Sequence, residues 1–308
     1  MNRVSMPAWT AVVMCCGLCP AQTRSVALTF DDLPLAGEGG AADAQRVNRA
    51  ILLALARHHA PAIAFVNEKG VRAIGDASGK AVLRDWLANG QDLGNHTFSH
   101  RDLNTLTVEE FRTEVIEGEA SLRQVLRERG QTLRYLRFPY NHSGDTREKH
   151  DAVAAFLSQR GYAVATCTID NSDWEFARAY DLMGTRGERE AVKTLQKEYL
   201  AYTEAEIDYY TELDRKVLGR EIPHVMLLHA NRLNAGMMDE ILRLFEKRGY
   251  RFVTLGEAQS DPAYRGPDTF VTSFGPMWGY RWALERGVKI DGRLEPEPPA
   301  WVLQYGKK

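Results

Sequence analysis

Ser25-Val26-Ala27-Leu28-Thr29-Phe30-Asp31-Asp32 is a β-like run that ends abruptly in two adjacent carboxylates. Its β-branched and aromatic residues favour a strand. Two carboxylates in succession after a strand point different ways, so one is free to bind a metal while the other acts as a base. Exposed Asp-Asp turns are common, however, and the pair by itself decides nothing.

Outward from this run, the chain to about Ala258 alternates β-like runs with helical segments. Several helices close on glycine and are followed at once by a strand, as C-terminal capping predicts. Gly90 precedes Gln91-Asp92-Leu93-Gly94, Gly130 precedes Leu133 to Leu136, Gly161 precedes Tyr162 to Thr166, and Gly249 precedes Tyr250 to Leu255. Thr107 and Glu110 form a capping box that opens one helix, whose face carries Phe111, Val115, Leu122 and Leu126. Strands separated by helices of this length imply βαβ units and a mostly parallel sheet. Open sheet and closed barrel both satisfy the pattern.

Two regions depart from the alternation. Residues 176–220 read as helical throughout and form an expected helical insertion lying over the domain. From residue 259 to 308 Pro, Gly and aromatics increase. This extension is expected to be ordered around Trp278, Tyr280 and Trp282, by packing rather than as a sugar platform, and extended near its end. At the other terminus, Arg3 and the short apolar stretch Ala8 to Leu18 read as an export signal ending at residue 21, before Gln22. Cys15, Cys16 and Cys19 fall inside it, so the mature chain keeps only Cys167, expected to be buried and free.

The composition is that of a soluble enzyme, with 44% hydrophobic and 26% charged residues. A formal net charge of -2 offers no polyanion-binding surface and argues against a nucleic-acid partner. No stable membrane insertion is expected after signal cleavage.

The remaining ionisable clusters also follow β-like runs, where catalytic groups of parallel barrels collect. His96 and His100 stand four apart, a spacing that on a helical turn puts both imidazoles on one face, within reach of one divalent ion. Two histidines and a carboxylate leave coordination positions open. Arg137-Phe138-Pro139-Tyr140 follows a strand, and the proline fixes a turn that holds Arg137 where it can pair with Asp31. Asp170 and Asp173-Trp174 follow another run, and His229 ends Val225-Met226-Leu227-Leu228. A histidine at the end of a buried strand is usually a satisfied core residue; here it is also a candidate acid. His142, His150 and His224 are expected at the surface, and His58-His59 at a helix end.

Together these motifs resemble, in order, the five motifs of the polysaccharide deacetylase family, whose catalytic unit is the NodB homology domain. They are Thr29-Phe30-Asp31-Asp32, His96-Thr97-Phe98-Ser99-His100, Arg137-Phe138-Pro139-Tyr140, Asp170-Asn171-Ser172-Asp173-Trp174 and Leu227-Leu228-His229. The resemblance implies an α/β fold, a distorted (β/α) barrel within residues 22–258. It implies Asp31 as general base, Arg137 as its positioning residue, and Asp32, His96 and His100 as ligands of one divalent ion, zinc in the first instance, with cobalt or nickel also fitting. It implies His229 as general acid tuned by Asp173, the Tyr140 N–H at the oxyanion, and Trp174 and Leu227 as walls of the acyl pocket. The expected substrate is an N-acylated carbohydrate.

The chain departs from the family pattern at Leu33, expected to reshape the pocket rim, at Asn141-His142, and at Ala230, where an aspartate often stands. These changes leave room for a formyl or small cyclic amide substrate. A non-catalytic carbohydrate-binding protein is the third possibility, although a binding module needs no base, ligands and acid.

Overall fold

The computed structural model describes residues 24–266 and 268–307, so the expected export signal with Cys15, Cys16 and Cys19 lies outside the described residues. Among the described residues, eight strands follow in chain order: β1 (Ser25–Leu33), β2 (Ala62–Val66), β3 (Asp92–Asn95), β4 (Tyr135–Leu136), β5 (Ala163–Val164), β6 (Ile169–Asp170), β7 (His224–His229) and β8 (Arg251–Val253). They hydrogen-bond in the order β5-β4-β3-β2-β1-β7-β6, with β8 beside the first residues of β1. Every pairing is parallel. Among the described residues β5 and β6, at the two ends of this path, do not pair with each other, so the curled sheet is a distorted barrel open on one side.

Strand alternation explains the curl. Val26, Leu28 and Phe30 of β1, with Met226 and Leu228 of β7, face the outer helices Ala41–Arg57 and Arg232–Lys247 and join the main core. Phe30 meets Trp86 edge-on, with ring centroids 5.5 Å apart, and the Trp86 indole donates to Asn48 at 2.8 Å. Ala27, Ile63, Phe65 and Val225 face the barrel interior instead. Thr29 and Asp31 share that inner face by the same period of two, which carries Asp31 to the C-terminal mouth. Burial on both faces is why β1 reads as an almost unbroken apolar run.

Several local expectations are corrected. The helix opened by the Thr107–Glu110 capping box ends at Glu117, and a second helix runs from Ala120 to Arg127. The break falls at Gly118, which packs so closely on the β3 loop that a Cβ there would lie 2.6 Å from Asn95 Oδ1. The chain end is not extended: Ala300–Tyr305 is helical, and Trp301 donates to Glu198 at 3.0 Å. Nor are His150 and His224 at the surface, being 7% and 1% exposed. His224 is held by Asp214 at 3.3 Å, and His150 by Asp151 and Asp268.

The stretch expected as a helical insertion forms the helices Asp173–Arg186 and Arg189–Leu218. Trp278 and Trp282 pack beside the second of these, and Trp278 N–H donates to the Cys167 carbonyl at 2.9 Å, in the connection between β5 and β6. The C-terminal segment therefore covers the open side of the barrel. Cys167 is buried and free. Among the described residues, no helix is long and apolar enough to cross a membrane.

Candidate active site

One pocket at the C-terminal mouth brings together Asp31, Asp32, His96, His100, Tyr140, Trp174, Leu227 and His229. Six of the seven non-glycine residues with positive φ among those described belong to its loops: Asp32, Thr97, His100, Tyr140, Asn141 and Ser172. Such conformations cost about 1–3 kcal/mol each and persist where surrounding contacts over-determine them. The His96–His100 segment shows how. It is a loop with left-handed Thr97 and His100, not the expected helical turn. Asn95 Oδ1 accepts from Thr97 N–H at 2.9 Å, and both Glu114 carboxylate oxygens accept from Ser99, at 2.8 and 2.7 Å. The loop sets the two imidazoles 4.8 Å apart, centroid to centroid.

Asp32, His96 and His100 place one ligand atom each within 4.8 Å of the others, a group able to hold a divalent ion. His96 Nε2 and His100 Nε2 both lie 3.7 Å from Asp32 Oδ1, too far for hydrogen bonds to one another and suited to a shared central ion. His96 Nδ1 lies 2.8 Å from the Arg137 carbonyl, which fixes Nδ1 as the protonated nitrogen. Burial, with His100 alongside, pushes His96 down to about 3, so its Nε2 lone pair is free at neutral pH. Asn67 steadies Asp32 Oδ1 at 3.2 Å.

Arg137, fully buried, enters the barrel interior under Asp31. Its guanidinium lies 3.5 Å from Asp31 Oδ2, donates to Thr29 Oγ1 at 3.0 Å and to the Thr166 carbonyl at 3.3 Å, and stacks over Phe65 at 4.9 Å. Burial raises the Asp31 pKa above the ordinary carboxylate value, and the Arg137 charge pulls it back. Asp31 Oδ1 has no hydrogen-bond partner among the described residues.

His229 stands in register with Asp31 on the neighbouring strand. Its Nδ1 is 2.6 Å from Asp173 Oδ1, and its backbone N–H donates to Asp173 Oδ2 at 2.8 Å. Asn231 and Asn234 donate to the same Oδ2. Burial opposes the charged imidazole, but the Asp173 carboxylate overcomes it and raises His229 to about 10. Asp173, although desolvated, is held below the usual carboxylate range by His229 and these donors. Ala230 therefore leaves no gap in the support of His229.

Other expectations change here. Leu33 is fully buried in the main core, so it does not form the rim. Ala36 and Gly37 do. His142 is partly buried and does not line the pocket: its Nδ1 lies 2.8 Å from the Asp102 carboxylate and 3.0 Å from the Asn104 amide nitrogen, and its ring lies 5.6 Å from that of Tyr140. Trp278 and Trp282, by contrast, are buried as expected. Sequence reasoning missed Asn67, Glu114, Asn231 and Asn234, and the pocket residues Arg178, Asp181, Gly275 and Met277. Only Asn231 carried a local signal, as the N-cap of the helix after β7.

Residues 20–165 match the polysaccharide deacetylase family. Among curated relatives, the chain is 24% identical over 263 residues to a chitin deacetylase of Colletotrichum lindemuthianum, covering 85% of this chain and 88% of that protein. It is 28% identical to a chitin deacetylase of Pestalotiopsis sp., a match spanning 56% of this chain and only half the length of that relative. In structure it is similar to the polysaccharide deacetylase Bc1974 from Bacillus cereus, with a TM-score of 0.52 and 18% identity over 75% of this chain and 91% of that one. It is also similar to a CE4 family pseudoenzyme from Bacillus anthracis, with a TM-score of 0.51 and 18% identity over 77% of this chain and 66% of that one.

Proposed function

Since this chain belongs to the polysaccharide deacetylase family, we propose that it is an exported hydrolase that needs a divalent metal and removes N-acetyl groups from an amino-sugar polymer or oligomer. The observation that carries this reading is the register of Asp31 opposite His229, with the Asp32, His96 and His100 group in the same pocket. A base and an acid on neighbouring strands flank one reacting centre, as amide hydrolysis requires.

Asp32, His96 and His100 would hold the ion, with zinc favoured by imidazole and carboxylate donors. When bound, such an ion polarises an amide carbonyl and lowers the pKa of a water molecule. Asp31 takes the proton of the attacking water through its unpartnered Oδ1, while Arg137 keeps the carboxyl ionised and oriented. The Tyr140 backbone N–H stabilises the oxyanion. His229, its Nδ1–H bound to Asp173, presents Nε2–H to the leaving amine and protonates it as the C–N bond breaks. Trp174 and Leu227 wall the acyl group.

Acetate release from N-acetylglucosamine oligomers, before and after chelation and with zinc restored, tests this reading. Release that stops on chelation and returns with metal is expected. A metal-loaded protein that releases no acetate but cleaves formylated or cyclic amides would replace it; sugar binding with neither metal nor turnover would make the chain a binding protein.

A further inference from the structure

Two walls of the pocket come from parts of the chain that supply none of the proposed reactive groups. Ala177, Arg178 and Asp181 line it from beyond the first turn of the Asp173–Arg186 helix, and Gly275 and Met277 line it from the C-terminal segment. Each wall is fastened to a loop of the barrel mouth by an arginine.

Arg232 donates to Asp181 Oδ2 at 2.8 Å and to the Glu38 carbonyl at 2.7 Å, with Asp43 at 3.4 Å. This ties the loop after β1 to the helix. The two come so near that a Cβ on Gly37 would lie 3.7 Å from Asp181 Oδ2. Arg281, 4% exposed, fastens the other wall. It donates to the Asn141 carbonyl at 2.6 Å and to Ser143 Oγ at 3.0 Å, pairs with Asp268 at 3.0 Å, and stacks over Trp278 at 4.1 Å. Gly275 is pressed so closely on the turn after β4 that a Cβ there would fall 1.8 Å from the Tyr140 carbonyl oxygen.

A polymer bound through its interior needs a trough with two exits past the reacting centre. Here the loop after β1 is joined to the helix, and the turn after β4 is joined to the C-terminal segment. What remains is a partly open pocket of about 490 Å³, with Trp174 and Tyr140 exposed at its mouth, within the range of roughly 300–1,000 Å³ typical of small-ligand sites. Resting on the deacetylase reading above, we propose that the pocket admits the terminal sugar of a chain, or a short oligomer, and excludes polymer interiors. Trp174, Met277 and Leu227 give that sugar its apolar walls, and Asp170 and Arg178 its polar ones.

The test gives the metal-loaded full chain a ladder of N-acetylglucosamine oligomers from dimer to hexamer, and locates each lost acetyl by fragment mass spectrometry. Loss from one terminal sugar is expected, with kcat/KM level beyond the shortest members. A second readout is oligomer affinity of the Asp31→Asn variant by calorimetry, expected to be equally level along the ladder. Deacetylation at internal sugars, with kcat/KM and affinity rising with length, would overturn the inference and leave the deacetylase reading standing. No acetate from any member would overturn that reading, and this inference with it. Arg232→Ala, which unties one wall, is expected to raise the hexamer-to-dimer ratio of kcat/KM several-fold; an unchanged ratio would overturn the assignment of that wall.

Discussion

Asp31 and His229 are register partners on adjacent parallel strands, so their side chains leave the sheet on the same face of the barrel mouth. One is backed by a buried arginine, the other by a buried aspartate. The two pairs set opposite tendencies: Arg137 favours an ionised Asp31, and Asp173 favours a protonated His229. Each half can be broken separately.

Asp173→Asn removes the partner that raises His229. If the protonated imidazole is the working acid, activity is lost as pH rises through its pKa, and the intact pair keeps that limb well above neutral. The variant should move the alkaline limb of kcat/KM towards acid and lower kcat by about 10²–10⁴, the usual worth of a positioned acid. A pH–rate profile in which the limb stays put would remove Asp173 from this role.

Asp31→Asn should reduce acetate release by a similar factor of about 10²–10⁴ while metal content, measured by mass spectrometry of the dialysed protein, is unchanged. His96→Ala and His100→Ala should lose metal and activity together. A His100→Ala variant with full metal occupancy would show that the ligand set is wrong.

Arg137→Ala leaves Asp31 without its cation in a site where both side chains are almost fully buried. Breaking one partner out of a buried ion pair costs about 3–5 kcal/mol, which urea unfolding at neutral pH should register. Arg137→Lys should recover part of the stability, since it restores the charge but not the planar fork that sets one nitrogen on Thr29 and Thr166 and the other beside Asp31.

Gly275→Ala should force the C-terminal segment away from Tyr140, because the added Cβ would overlap its carbonyl oxygen. Overpacking of this kind costs about 1–3 kcal/mol. Since the same turn carries the Tyr140 N–H, kcat should fall together with the unfolding midpoint. Unchanged unfolding would mean that the segment yields freely.

The sequence by itself made β1 and β7 legible, because a strand buried on both faces is apolar almost throughout, and it marked the candidate site residues, because they sit where such runs stop. Asp31 and Asp32 near the end of β1, His96 and His100 after β3, Tyr140 after β4, Asp170 at the end of β6 and His229 at the end of β7 all line one pocket. Thr107 and Glu110 announced their capping box by local hydrogen-bonding chemistry that needs no distant partner. Only the tertiary structure decided what joins residues far apart in the chain. Arg232 reaches Glu38 across 194 positions, Arg281 reaches Asn141 across 140, and Gly118 lies too close to Asn95 and Thr97 to carry a side chain. His150 and His224 looked like surface residues until folding supplied the carboxylates that bury them. Periodicity and capping report what a residue does with its neighbours in sequence; long-range polar contacts depend on how the helices and the C-terminal segment pack around the barrel, and that leaves no repeating signal in the chain.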